Sequence, residues 1–199
     1  MPHVLTERLR SRDILLSVFD VVLERSLEVT SAPFGNIQAM NWKTGCLEIV
    51  AQRGFHQEFL KFFERVRADD RSACAHALRA RGQIVIEDVA TNKDFSPLSR
   101  DIVLNAGVKA VQSTPIISSS GAFIGMLSTH YPAVHVPSLD EMKTIRALAR
   151  VAADVIIARR ARENKSQVIE NTLRAIDSSR ALLARVNGVA SHTRYLRSN

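Results

Sequence analysis

AGVKAVQSTPIISSSGAFIGMLSTH, running from Ala106 to His130, decides how the chain is read. Apolar and β-branched residues fill Ala110 to Ile117 and Phe123 to Thr129, and the serines and glycine of Ser118 to Gly121 between them supply turn chemistry. Two strands so joined predict an antiparallel hairpin.

Upstream of this hairpin lies Ile84-Val85-Ile86, a short β-branched strand followed by the acidic pair Glu87-Asp88. Residues 89 to 107 then form an irregular stretch with turn residues Asn92, Asp94, Pro97 and Gly107, and a short helix is expected over Leu98 to Asn105. Loops of this length in compact domains are usually functional or mobile. Before the strand, Ser72 stands as the cap of a short helix from Ala73 to Arg81, ended by Gly82. Gly54 opens a connector into an amphipathic helix with Phe55, Phe59, Phe62 and Phe63 at near-helical spacing, a pattern that reads as core. Earlier still, Gly35 to Asn41 and Cys46 to Gln52 flank Trp42-Lys43-Thr44-Gly45, a second hairpin. Pro33 stops a long opening helix, Leu5 to about Val29, with Leu15, Phe19 and Val22 on one stripe and Leu16, Leu23 and Leu27 beside it.

Downstream, Pro137 and Ser138 start a last helix, with Ser138 and Glu141 placed as a capping box. Met142, Ile145, Ala149, Ala152 and Ile156 form its inner stripe, and neither Pro nor Gly interrupts Leu139 through Asn187. Beyond Arg160, the residues Ile169, Leu173, Ile176 and Leu183 keep a register of about 3.5 residues, broken at Arg180 and Asn187. This partial heptad pattern predicts a coiled-coil homodimer.

With 199 residues and 46% hydrophobic content, the chain has material for one globular domain plus extensions. No apolar run reaches the ~18 residues of a membrane span, and the charged stretch Met1 to Arg12 lacks a secretory apolar segment, so a cytoplasmic location is expected. Cys46 and Cys74 are the two cysteines, which excludes a disulfide framework. Cys74-Ala75-His76 comes nearest to a metal-ligand pair but has no second pair at a zinc spacing. The net charge of +7 is unevenly placed. Through residue 140 there are 15 Lys/Arg against 15 Asp/Glu, and from residue 141 there are 12 against 5. The basic residues of the tail are spaced out rather than clustered, which reads as a solvated helix face more than as a nucleic-acid footprint.

The order helix, hairpin, helices, strand, irregular loop, hairpin, long helix resembles that of a GAF domain. FGNIQAMN at Phe34 to Asn41, GCLEIVAQRGF at Gly45 to Phe55, SACAHAL at Ser72 to Leu78, IVIEDV at Ile84 to Val89 and the opening segment at Ala106 to His130 are similar to GAF domains of bacterial sensor histidine kinases and related regulators. The resemblance implies an α+β fold of GAF/PAS type. A central antiparallel sheet carries the long N- and C-terminal helices on one face, with short helices and a pocket loop on the other. It divides the chain into a helical extension at 1–14, a GAF domain at 15–160 and a basic helical extension at 161–199.

On that frame, Asn36 and Gln38, Gln112 and Thr114, and Ser128 and His130 are same-face sets in three strands, because side chains alternate with period two. Polar sets against apolar helices are costly, so all three are expected to face the pocket or water. The ligand-binding candidates are Asn36, Gln38, Cys74, Asp88, Phe95, Gln112, Thr114 and His130. His130, at the end of an apolar strand, reads first as a hydrogen-bonded edge histidine and second as a ligand contact. Asp88 and Asp94 read as acids that stabilise their loop.

Three family chemistries are weighed against the residues. Free methionine-(R)-sulfoxide reductase, itself a GAF protein, needs a cysteine in the loop after the EDV strand. Cys74 matches its other cysteine, but Ala90 to Asn105 contains none, so the attacking thiolate is missing. The cyclic-nucleotide signature begins as Asn92, Lys93 and Phe95 do, yet Ser99-Arg100 stand where its acidic pair belongs. Bilin attachment uses a cysteine followed by histidine, whereas Ala75 follows Cys74. The expectation is a non-enzymatic sensory module of signal transduction, with a histidine kinase or response regulator as partner and an unnamed small-molecule ligand. A ligand-free dimerisation or docking scaffold and a nucleic-acid-binding regulator are the alternatives. No motif names a cofactor.

Overall fold

A computed structural model describes the backbone of residues 17–196 and side chains through Arg180. Residues 1–14, Leu15 and Leu16 of the opening helix, and the side chains of Leu183 and Asn187 lie outside the described residues. The elements are α1 (17–30), β1 (Phe34–Asn41), β2 (Cys46–Arg53), α2 (Gln57–Phe62), β3 (Arg65–Val66), α3 (Ala73–Ala80), β4 (Ile84–Ile86), α4 (Pro97–Asn105), β5 (Ala110–Ile117), β6 (Phe123–Tyr131) and α5 (Leu139–Leu196). Six antiparallel strands form one sheet in the order β3-β2-β1-β6-β5-β4.

Both expected hairpins are present, and they join through β1 and β6 at the centre of the sheet. Gly45 closes the first turn at φ 70°, a left-handed conformation that a side chain would strain, and its N–H donates to the Asn41 carbonyl at 2.9 Å. Gly125 serves the β1–β6 junction differently. A Cβ there would collide with the Gln38 carbonyl oxygen, so glycine lets the two central strands approach.

One face of the sheet receives α1: Gly35 lies against Leu23 and Leu27 of that helix. Of the expected inner stripe in the first part of α5, Ile145, Ala149, Ala152 and Ile156 are buried and Met142 is half-buried. Its capping box is formed, with Ser138 N–H donating to Glu141 Oε2 at 2.7 Å and Glu141 N–H to Ser138 Oγ at 3.2 Å. The other face carries α2, α3 and α4 over a core that includes Phe55, Phe59, Phe63, Val103, Val111 and Met126.

Local signals missed two details. Strand β3 is two residues long, too short for a periodic signal, and pairs only with β2. Helix α3 ends with Arg81 itself in the left-handed conformation, at φ 47°, where Gly82 was expected to serve. Contacts divide the chain near Ile156–Ile157. In the second unit, helical pairs Arg159–Glu163 at 3.0 Å and Arg174–Glu170 accompany the exposed Ile169, Leu173 and Ile176.

Candidate functional site

Strand register determines which side chains meet beneath α3. His130 of β6 pairs with Phe34 and Val111, Ser128 with Asn36 and Ser113, and Met126 with Gln38. Cross-strand partners share a face, so Asn36, Gln38, Val111, Ser113, Ser128 and His130 all point toward the short helices. Asn36, Gln38, Val111 and His130 line a small cavity there, with Cys74 of α3, Phe95 of the following loop and the ring of Phe63. It has about 20 Å³ of room for the centres of water-sized molecules, space for one or two waters with the walls as they stand.

Ser113 and Ser128 hydroxyls pair at 2.8 Å, and the Cys74 Sγ sits 3.3 Å from Ser128 Oγ and 3.7 Å from Ser113 Oγ. Burial pushes the Cys74 thiol up, outweighing the opposing effect of these hydroxyls. A thiol held protonated is a poor nucleophile. Gln38 donates from Nε2 to the Phe63 carbonyl at 3.3 Å, which fixes its amide and leaves Oε1 without a partner. Asn36 Oδ1 and His130 Nδ1 are likewise buried without a partner among the described residues. The His130 ring stands edge-on to Phe55, with centroids 4.9 Å apart, and to Phe59 at 6.0 Å. Desolvation in this aromatic setting lowers its pKa to about 3, so the imidazole is neutral at physiological pH.

Thus five of the eight candidates, Asn36, Gln38, Cys74, Phe95 and His130, converge on one cavity. Three do not. Gln112 pairs with Thr129 and Thr114 with Leu127, in phase with Ile37, on the opposite face toward the terminal helices. Thr114 Oγ1 accepts there from Gln83 Nε2 at 2.8 Å, and Gln83 also reaches the Met142 carbonyl of α5 at 3.5 Å. Asp88 Oδ1 accepts from the Ala90 N–H at 2.9 Å and so holds its own turn. The reading of His130 as a hydrogen-bonded edge residue also fails. Strand β6 lies between β1 and β5, and the ring is 4% exposed with Nδ1 unpartnered. Asp94 is anchored to His76 Nδ1 at 2.8 Å. Ser113 and Phe63 were missed as site residues, although Ser113 keeps phase with Val111 and Phe63 carried only a core signal.

A second, larger cleft of about 210 Å³ adjoins the cavity, with Arg65, Asp70, Arg71 and Ser96 among its walls. Phe63 and Ser72 belong to both.

A family model for the GAF domain matches residues 15–157. The chain belongs to the GAF domain family. No curated protein matches the sequence. Among solved structures, this GAF chain is similar to a domain described as that of a two-component sensor histidine kinase from Sinorhizobium meliloti 1021, with TM-score 0.64 and 19% identity over 76% of this chain and 96% of that one. A GAF domain/HD domain protein from Geobacter sulfurreducens gives 0.63 and 17%, over 74% and 94%. The type II free methionine-R-sulfoxide reductase of Thermoplasma acidophilum gives 0.58 and 13%, over 73% and 94%. At these identities the likeness is one of fold. GAF domains are commonly sensory or regulatory, and no helix among the described residues is long and apolar enough to cross a membrane.

Proposed function

We propose that this GAF domain is a non-enzymatic input module of bacterial signal transduction, binding a small molecule between the sheet and α3 and passing the change to its terminal helices. The observation that carries this reading is the set of three buried polar atoms without partners, Asn36 Oδ1, Gln38 Oε1 and His130 Nδ1, on residues that share one cavity. Each such atom costs about 1–3 kcal/mol. A bound molecule that pairs with them recovers part of that cost, which gives it a differential affinity for the state it fits. A non-enzymatic role is supported by Cys74, whose protonated thiol lies against the sheet serines Ser113 and Ser128, and by the loop Ala90 to Asn105, which supplies no second cysteine.

The relay rests on physical links between the sheet and α5. Gln83 ties Thr114 to the Met142 carbonyl, and Asp154 accepts from the Ser119 N–H and hydroxyl at 2.7 and 2.9 Å. The exposed apolar positions Ile169, Leu173 and Ile176 support homodimerisation, with a histidine kinase or response regulator receiving the output. Cytoplasmic residence belongs to the same reading. Native mass spectrometry of the chain purified from its own host tests both parts, with a dimer carrying a small-molecule adduct expected. A bare monomer at high concentration, with amide exchange in α5 indifferent to added metabolite extract, would refute it. The narrowness of the cavity favours one other reading, a ligand-free docking scaffold, for which the dimer appears without adduct.

A further inference from the structure

The residues around the cavity share a property that the adjoining cleft lacks: none carries a formal charge. Its polar groups are the amides of Asn36 and Gln38, the Ser72 hydroxyl, the Cys74 thiol and the imidazole of His130. The arginines and Asp70 belong to the adjoining cleft. An ion moved into the inner cavity would lose its hydration with no countercharge to offset the loss. A neutral polar molecule loses far less and regains it through hydrogen bonds. Gln38 adds direction: one N–H of its Nε2 goes to the Phe63 carbonyl, which fixes the amide with its oxygen unpartnered, and Asn36 Oδ1 stands unpartnered two residues away on the same face. Two buried acceptor oxygens without partners call for a guest that donates.

We propose that this cavity selects an uncharged molecule bearing N–H or O–H donors, of the class of small amides, ureas and N–H heterocycles, and excludes ions of the same shape. The proposal rests on the sensory reading above and narrows it to one ligand chemistry. Room for one or two waters is less than even an amide of four heavy atoms needs, so Phe63, which divides the cavity from the adjoining cleft, turns aside on binding. The rings of Phe59 and Phe95 suit a planar guest.

Acetamide, acetate and acetone have nearly one shape and separate the possibilities: a neutral donor, an anion, and a neutral molecule without donors. Each is titrated into the isotope-labelled full chain while the backbone amide signals of Gln38, Cys74 and His130 are followed. Acetamide is expected to shift these signals saturably, in the millimolar range, and acetate and acetone are not. Asn36→Leu and Gln38→Met are each expected to weaken acetamide at least tenfold. The Leu variant leaves the Gln38–Phe63 bond intact and so guards against a general folding defect. Acetate saturating the same signals would overturn the proposal and leave a ligand-binding pocket standing. Acetone matching acetamide, or acetamide binding unchanged in both variants, would overturn the donor rule. Failure of all three probes to saturate would remove the proposal together with the reading beneath it.

Discussion

Asn36 and Ile37 are neighbours in one central strand, yet they look into two different interiors. Ile37 faces the terminal helices, where it is fully buried alongside Leu127. Asn36 faces α3 and the cavity. Both interiors hold buried polar side chains, but they settle them differently. On the helix side Ser26 and Thr30 donate to α1 carbonyls at 2.7 and 2.8 Å, Thr129 pairs with the Tyr131 hydroxyl at 3.2 Å, and Thr114 takes the Gln83 amide. Gln112 is the exception, with both amide atoms unpartnered. On the cavity side the serines close on one another, while Asn36, Gln38 and His130 each leave an atom open beside free space. A face that satisfies its polar groups is built to stay as it is; one that leaves several open is suited to a guest.

The sharpest way to break this contrast is to alter the two neighbours separately. Ile37→Ala removes a fully buried side chain from the helix side and is expected to cost about 3 kcal/mol in urea unfolding. Asn36→Leu, its neighbour, is expected to leave stability unchanged or raise it by about 1 kcal/mol, because an unpaired oxygen leaves the interior. Equal losses at both positions would show that the cavity side is packed as a structural core.

Acid tests the cavity side through His130. The unfolded imidazole, near its ordinary value of 6.5, takes up a proton below that pH, while the buried ring, at about 3, does not. Its neutral burial therefore costs nothing above pH 6.5, and stability is lost as pH falls from 6.5 toward 3. The slope approaches about 1.4 kcal/mol per pH unit. Urea midpoints for His130→Phe should show a shallower decline over that window, and parallel curves would contradict the buried neutral state. The smallest effect is expected on the helix side, where Gln112→Met should stabilise by about 1 kcal/mol in the same assay. A loss there would mean that the Gln112 amide has polar partners.

Much of this architecture was legible because it follows from short-range chemistry. The Ser118–Gly121 turn, the Ser138–Glu141 box and the Ser72 cap need only residues three or four apart, and each appears where the sequence puts it. The site was legible in part. Asn36, Gln38, Cys74, Phe95 and His130 meet, but alternation within a strand says which residues share a face and not which face that is. Gln112 and Thr114 alternate as regularly as Asn36 and Gln38, and the expectation that they share a pocket failed for that reason.

The sequence by itself determined the elements apart from the two-residue β3, the hairpin turns, the Ser72 and Ser138 caps, the two-residue phase of the longer strands and the placement of all net charge after residue 140. Only the tertiary structure decided that Val111 rather than Gln112 lies opposite His130, and hence which polar groups stand around a cavity and which beneath helices. Phase within a strand is fixed by backbone geometry that every residue obeys locally. Phase between strands is fixed by hydrogen bonds across the sheet, and no stretch of chain carries that information alone.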